Sequence, residues 1–157
     1  MAGVYPVHNL EFLVSDKGKI AEKKNDISKL IKVADMETFE VSIDGNVEEW
    51  SPMEQKGWTR RLMTGKSISI SLSGKRNEGD KGNDYIASLA YKTGEDATTT
   101  MAIKFPNGEI FMMDSVVNVT STFGGASTDV NPLEFEFQSD GQPTFFGSEG
   151  STASRTE

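Results

Sequence analysis

Lys66-Ser67-Ile68-Ser69-Ile70-Ser71-Leu72-Ser73-Gly74 alternates small polar and aliphatic residues without a break. A period of two over that length fits a β-strand with one oily and one wet face, because successive side chains of a strand point to opposite sides. Glu37-Thr38-Phe39-Glu40-Val41-Ser42-Ile43 alternates in the same way shortly before it. What is unusual is the stretch between the two strands. Hairpin loops usually hold about two to five residues. This one, residues 44–65, holds both tryptophans, Trp50 and Trp58, together with Arg60 and Arg61. A connector that long and that aromatic is expected to be an interaction arm.

The rest of the chain reads as further strands around this pair. Glu11-Phe12-Leu13-Val14 is a short apolar run and Asp16-Lys17-Gly18-Lys19 a turn. Residues 20–34 carry Ile20, Ile27, Leu30, Ile31 and Ala34 at irregular spacing and read as a loop with a possible helical turn. After the charged loop 75–82, Asn83 fits an N-cap, Asp84 suits the positive end of a helix dipole, and Ile86, Leu89 and Ala90 follow at helical spacing. Gly94 is a natural terminator, so one helix is expected over about 83–93. Thr98–Phe105 and Glu109–Phe123 are strands joined by Pro106-Asn107-Gly108, with Met112 and Asp114 out of phase and a β-bulge expected near them. Leu133, Phe135 and Phe137 mark another strand, and Thr144-Phe145-Phe146 a short last one. Residues 147–157 lack an apolar anchor and read as a disordered tail behind a domain of residues 1–146. The fold class expected is mainly β: an antiparallel sandwich or partly closed barrel with one flanking α-helix and a long interaction loop.

Composition narrows the function. The 157 residues carry a net charge of −8, the wrong sign for gripping phosphates and the right one for a surface that nucleic acid slides past. There is no cysteine, hence no disulfide framework, thiol chemistry or zinc-finger site. The N-terminus does not have the form of a signal peptide, and no apolar run approaches the roughly 20 residues of a membrane helix. No membrane partner is expected.

The search for chemistry finds little. His8 is the single histidine, in an irregular N-terminal segment, and without a second one a serine triad lacks its base. Glu78, Asp80 and Asp84 lack the ligand spacing of a calcium loop, and the glycine pairs match no phosphate-binding fingerprint. Glu134 and Glu136 are more simply the solvated face of a strand. No enzyme, metal or cofactor is expected. The arm is different: Trp50, Met53, Trp58, Arg60, Arg61, Leu62 and Met63 are too many large groups for an idle loop, and Trp, Arg and Met are enriched at interface cores. They either fold back as a lid on the core or dock on another subunit.

The chain resembles the major tail tube proteins of long-tailed, non-contractile bacteriophages over roughly residues 8–146. Three segments in order carry the resemblance. The first is Val47-Glu48-Glu49-Trp50-Ser51-Pro52 with Gly57-Trp58-Thr59-Arg60-Arg61-Leu62-Met63-Thr64-Gly65, leading into Lys66-Ser67-Ile68. The second is Asn83-Asp84-Tyr85-Ile86 after the hairpin, and the third Leu133-Glu134-Phe135-Glu136-Phe137-Gln138 with Ser139-Asp140-Gly141-Gln142-Pro143. The resemblance implies hexameric rings stacked into a hollow tube, with sheets of six subunits joined around a lumen that passes DNA, and a fold shared with secretion-system tubes. It implies as partners further copies of the chain and the tape measure, tail terminator and distal tail proteins, in a virion tail assembled in the host cytoplasm. The arm would contact the neighbouring ring. The polar strand faces, Thr38, Glu40, Ser42, Ser67, Ser69 and Ser71, would line the lumen. The competing reading is a β-sandwich carbohydrate-binding or adhesion module, which requires an exposed aromatic platform on a stable monomer.

Overall fold

A computed structural model describes residues 4–15, 18 and 30–147. Its eight strands are β1 (Glu11–Ser15), β2 (Leu30–Lys32), β3 (Met36–Trp50), β4 (Arg60–Lys75), β5 (Thr98–Lys104), β6 (Glu109–Ser121), β7 (Pro132–Ser139) and β8 (Thr144–Gly147). All pair antiparallel in one sheet of order β2-β1-β5-β6-β7-β4-β3, with β8 on β6. The helix α1 spans Lys81–Ser88 and continues as a 3-10 turn over Leu89–Tyr91.

The sheet curls until its far ends approach one another. Phe12 of β1 and Phe39 of β3, five places apart in strand order, meet edge to face with ring centroids 5.0 Å apart. The oily parities of the strands therefore look inward on one core: Ile70 and Leu72 of β4, Met101 and Ile103 of β5, Met113 and Val117 of β6, Phe135 and Phe137 of β7, closed by Ile86 and Leu89. This is the partly closed barrel with a flanking helix that the alternation predicts.

A polar latch holds the seam. Asn83, fully buried, donates from Nδ2 to the carbonyls of Ala34 (3.1 Å) and Lys75 (3.0 Å), and accepts at Oδ1 from Arg76 Nη1 and the Asn77 amide. One side chain thus ties α1 to the β2–β3 connector and to the end of β4. Glycine is required twice beside it. A Cβ on Gly82 would run into the Lys32 carbonyl, and one on Gly74 into the Asp35 carbonyl.

Several expectations need correcting. Asp80, not Asn83, caps the helix: its side chain accepts from the Asn83 amide at 3.0 Å, which leaves the Asn83 side chain for the seam. Gly94, at φ 67°, does not end α1 but opens a separate 3-10 turn, Gly94–Ala97. The β5–β6 register runs evenly past Met112, and the β6 irregularity lies between Val119 and Ser121. Met112 is out of phase because the sheet is buried on both faces there: it joins Leu13, Leu30, Ala102 and Ile110 in a second cluster. Within the segment read as a loop, Leu30–Lys32 is a strand; the possible helical turn earlier in it, most of the Asp16–Lys19 turn and the tail beyond residue 147 lie outside the described residues. The arm differs most. Residues 44–50 and 60–65 are not loop but the continuation of β3 and β4, and only residues 51–59 leave the strands.

Candidate functional site

Strand β4 pairs with β7 only from Ser69 to Lys75. Below Ser69 its sole partner strand is β3, and the two run on together to the Trp50–Arg60 pair. At about 3.3 Å per residue this ribbon projects roughly 25 Å from the sheet. The sheet forks at its root: β8 turns away along β6, while the ribbon leaves past Ser139, whose Oγ accepts from the Ile68 amide at 3.0 Å.

Local contacts shape the ribbon. The register shift between Asn46 and Val47 absorbs a residue. Asn46 Nδ2 donates to Thr64 Oγ1 at 2.8 Å, and Thr64 Oγ1 donates back to the Asn46 carbonyl. Arg61 pairs with Glu49 at 2.9 Å, and the Arg60 guanidinium lies 5.7 Å from the centre of the Trp50 ring. The tip makes a 3-10 turn at Met53–Gln55 and reverses through Lys56 and Gly57, both at positive φ, before the Trp58 amide donates to the Gln55 carbonyl.

None of its large apolar groups is covered. Met53 is 94% exposed and Trp58 77%, and Trp50, Leu62 and Met63 are also open to solvent. They do not form a lid on the core. Val41, Ile43 and Val47, on the edge strand β3, are exposed as well. The alternation identifies their parity; it does not reveal that the edge leaves them bare.

The wet parity forms a second surface. Rows across the strands run Thr38–Ser73–Glu134, Glu40–Ser71–Glu136–Asn118 and Ser42–Ser69–Gln138, with Asp44 beside Ser67. Four carboxylates, Glu40, Asp44, Glu134 and Glu136, share this face, and no Lys or Arg stands in these rows. Its residues line a shallow groove of about 350 Å³.

His8 is exposed, and among the described residues no group of three His, Cys, Asp or Glu side chains could hold a metal ion. Asp84 has a perturbed carboxyl. The hydrogen bond from Arg76 holds it below the ordinary carboxylate value, helped by the Gly79 amide and opposed by partial desolvation.

The fold is similar to that of chains from tail and injection-system particles. A chain from the tail of an empty gene transfer agent particle with C6 symmetry is 16% identical, with a TM-score of 0.67, over 92% of this chain and 100% of that one. A chain from the virion of the native gene transfer agent is 17% identical, with a TM-score of 0.64 and the same coverage. A chain from an extracellular contractile injection system, in its sheath–tube complex in the extended state, is 12% identical, with a TM-score of 0.59 over 94% of each chain. The likeness thus extends beyond non-contractile tails. No family model and no curated protein matches the sequence significantly.

Proposed function

We propose that this chain is the structural subunit of a tail tube, not an enzyme. Copies assemble through the ribbon into stacked, hexameric rings around a lumen that passes DNA, in a virion tail built in the host cytoplasm. The observation that carries the reading is the ribbon: about 25 Å of two-stranded sheet whose Trp50, Met53, Trp58, Leu62 and Met63 face water. An exposed apolar ribbon and a bare edge strand are liabilities unless a partner covers them, and neighbouring copies do so in a ring stack. The C6 tail whose chain shares this fold supports six as the ring number. The tape measure, terminator and distal tail proteins are the further partners this role requires.

The polar face with Glu40, Ser42, Ser67, Ser69 and Ser71 is proposed as the lumen wall. Carboxylates and small hydroxyls without a cation give phosphate nothing to hold, so DNA passes without binding. Purified subunit is expected not to retain duplex DNA at moderate salt in a gel-shift assay; tight binding excludes this assignment of the face.

Negative-stain electron microscopy across a concentration series, with sizing alongside, tests the function. Hollow rods or rings on the order of 100 Å across, the width of six such domains around a pore, are the expected result. A species that stays monomeric when crowded, with an ordered ribbon, points instead to a glycan-binding or adhesion module.

A further inference from the structure

The ribbon needs a surface to meet, and the fold restricts where that surface lies. The ribbon tip sits at the Arg60 end of β4; at the other end Lys75 pairs with Pro132, immediately after the loop 122–131 that joins β6 to β7. Sixteen residues of strand separate them, roughly 50 Å at about 3.3 Å per residue. The tip of one copy cannot reach its own 122–131 loop.

That loop carries two large apolar residues open to solvent, Phe123 (69% exposed) and Val130 (61%). It is also pre-formed. Asp129 Oδ2 accepts from the Ala126 amide at 2.8 Å, Asn131 Oδ1 from the Gly124 amide at 3.3 Å, and the Asn131 carbonyl from the Arg76 amide at 2.9 Å. Between the loop and the end of β4 lies a cleft of about 430 Å³, bounded by Lys75, Ser121, Gly124, Asp129 and Val130. A rigid loop costs little ordering entropy on binding.

Charge points the same way. In a chain of net −8, Arg61 is paired with Glu49 on the ribbon, and the tip beyond that pair holds Lys56 and Arg60 against Glu54. At the opposite end Glu37 pairs with Lys75 and Asp84 with Arg76, and Asp35, Glu78, Asp80 and Asp129 stand against Lys81. A recess at the fork, beside Ile43, Ile68 and Pro143, carries Lys66, of the same sign as the tip.

We propose that the ribbon tip of one copy lands on loop 122–131 of a second copy, with Trp58 and Met53 against Phe123 and Val130 and the tip's bases against Asp129 and its acidic neighbours. This rests on the tube reading above. Because the two surfaces differ, the contact is head to tail and repeats without closing, which is what growth along a tube axis requires.

The absence of cysteine makes the test clean. Met53→Cys and Val130→Cys are combined in one chain, polymerised, and treated with a short bis-maleimide. The expected result on a denaturing gel is a ladder with most of the chain above dimer mass, while either single variant stops at dimer. Met53→Cys with Gln142→Cys, which reports on the fork recess, is expected to give no ladder. Tubes that form without a Met53/Val130 ladder, or with a ladder from the Gln142 pair instead, overturn the landing site and leave the tube standing. A wild-type chain that never polymerises removes the tube reading and the landing site together.

Discussion

From Ser69 to Lys75 the β3–β4 hairpin has neighbours: β7 pairs with β4, the core lies beneath it, and Met36 and Phe39 of β3 pack against that core. From Asp44 to Trp50 and from Arg60 to Ser67 the same two strands have only each other. The chemistry of the two halves is similar, alternating or mixed apolar and polar residues with β-branched and aromatic side chains. Their surroundings are opposite. At the root, Ile70 and Leu72 are buried, each contributing about 1.5–3 kcal/mol by leaving water. On the ribbon, Leu62 and Met63 gain no such term, and a two-stranded hairpin is marginal in water. What remains there is small: an exposed Arg61–Glu49 pair contributing at most about 1 kcal/mol, and Arg60 over Trp50, about 0.5–1 kcal/mol. A strand's sequence specifies its two faces, and the topology decides whether either is covered.

The contrast breaks most visibly in the core. Phe135→Ala removes a buried ring that stacks edge to face on Phe137 at 5.2 Å. The expected cost is about 3–5 kcal/mol in urea unfolding, a large share of the stability of such a domain. Leu62→Ala on the ribbon should cost within about 0.5 kcal/mol. Similar losses at both sites would mean that the ribbon is packed against the domain.

Next in size is the latch. Asn83→Ala leaves the Ala34 and Lys75 carbonyls and the Asn77 amide without their partner, at an expected cost of about 2–3 kcal/mol. The seam strands should lose amide-exchange protection before β6 and β7 do. Uniform loss across the sheet would show that Asn83 does not act at the seam.

Smaller again is the acid response of Asp84. Its folded pKa is lowered by Arg76, so its contribution is whole above the ordinary carboxylate value of 3.8 and drains away as pH falls through the lowered folded value. Asp84→Asn should therefore be less stable than wild type at neutral pH and converge with it in acid. A gap that stays constant through that window would rule out the linkage.

How much of this could be read beforehand depends on how local each cause is. The alternation from Ser67 to Ser73 and the runs at Met101–Ile103 and Leu133–Phe137 are local, and their strands stand where expected. Asp44-Gly45 reads as a turn, yet the chain passes straight through it. Gly45 has no positive φ there; it stays extended because it pairs with Lys66 on the facing strand, with the Met63 side chain folded over it. That reason lies across the hairpin and is invisible along the chain. Strand β2 has too few residues to show a period, and Met112 looks out of phase because a second cluster covers its side of the sheet. The bare apolar residues of the tip could be listed from composition. Phe123 and Val130 could not, since Phe123 reads as the last inward residue of a long strand.

The smallest expected change in stability carries the largest consequence for assembly. Trp58→Ala removes a side chain that is 77% exposed and whose backbone, not its ring, closes the tip turn onto Gln55. Urea unfolding should stay within about 0.5 kcal/mol of wild type. Polymer growth should be lost or shifted to much higher concentration, because a central aromatic anchor typically contributes about 2 kcal/mol or more to an interface. Since each copy contributes one tip, that deficit recurs at every contact along a stack. A variant that unfolds would place the ring in the core and erase the difference between root and ribbon. One that folds and still polymerises as well as wild type would leave the ribbon without its anchor, and the edge of β3, with Val41 and Ile43 bare, would become the surface on which the copies meet.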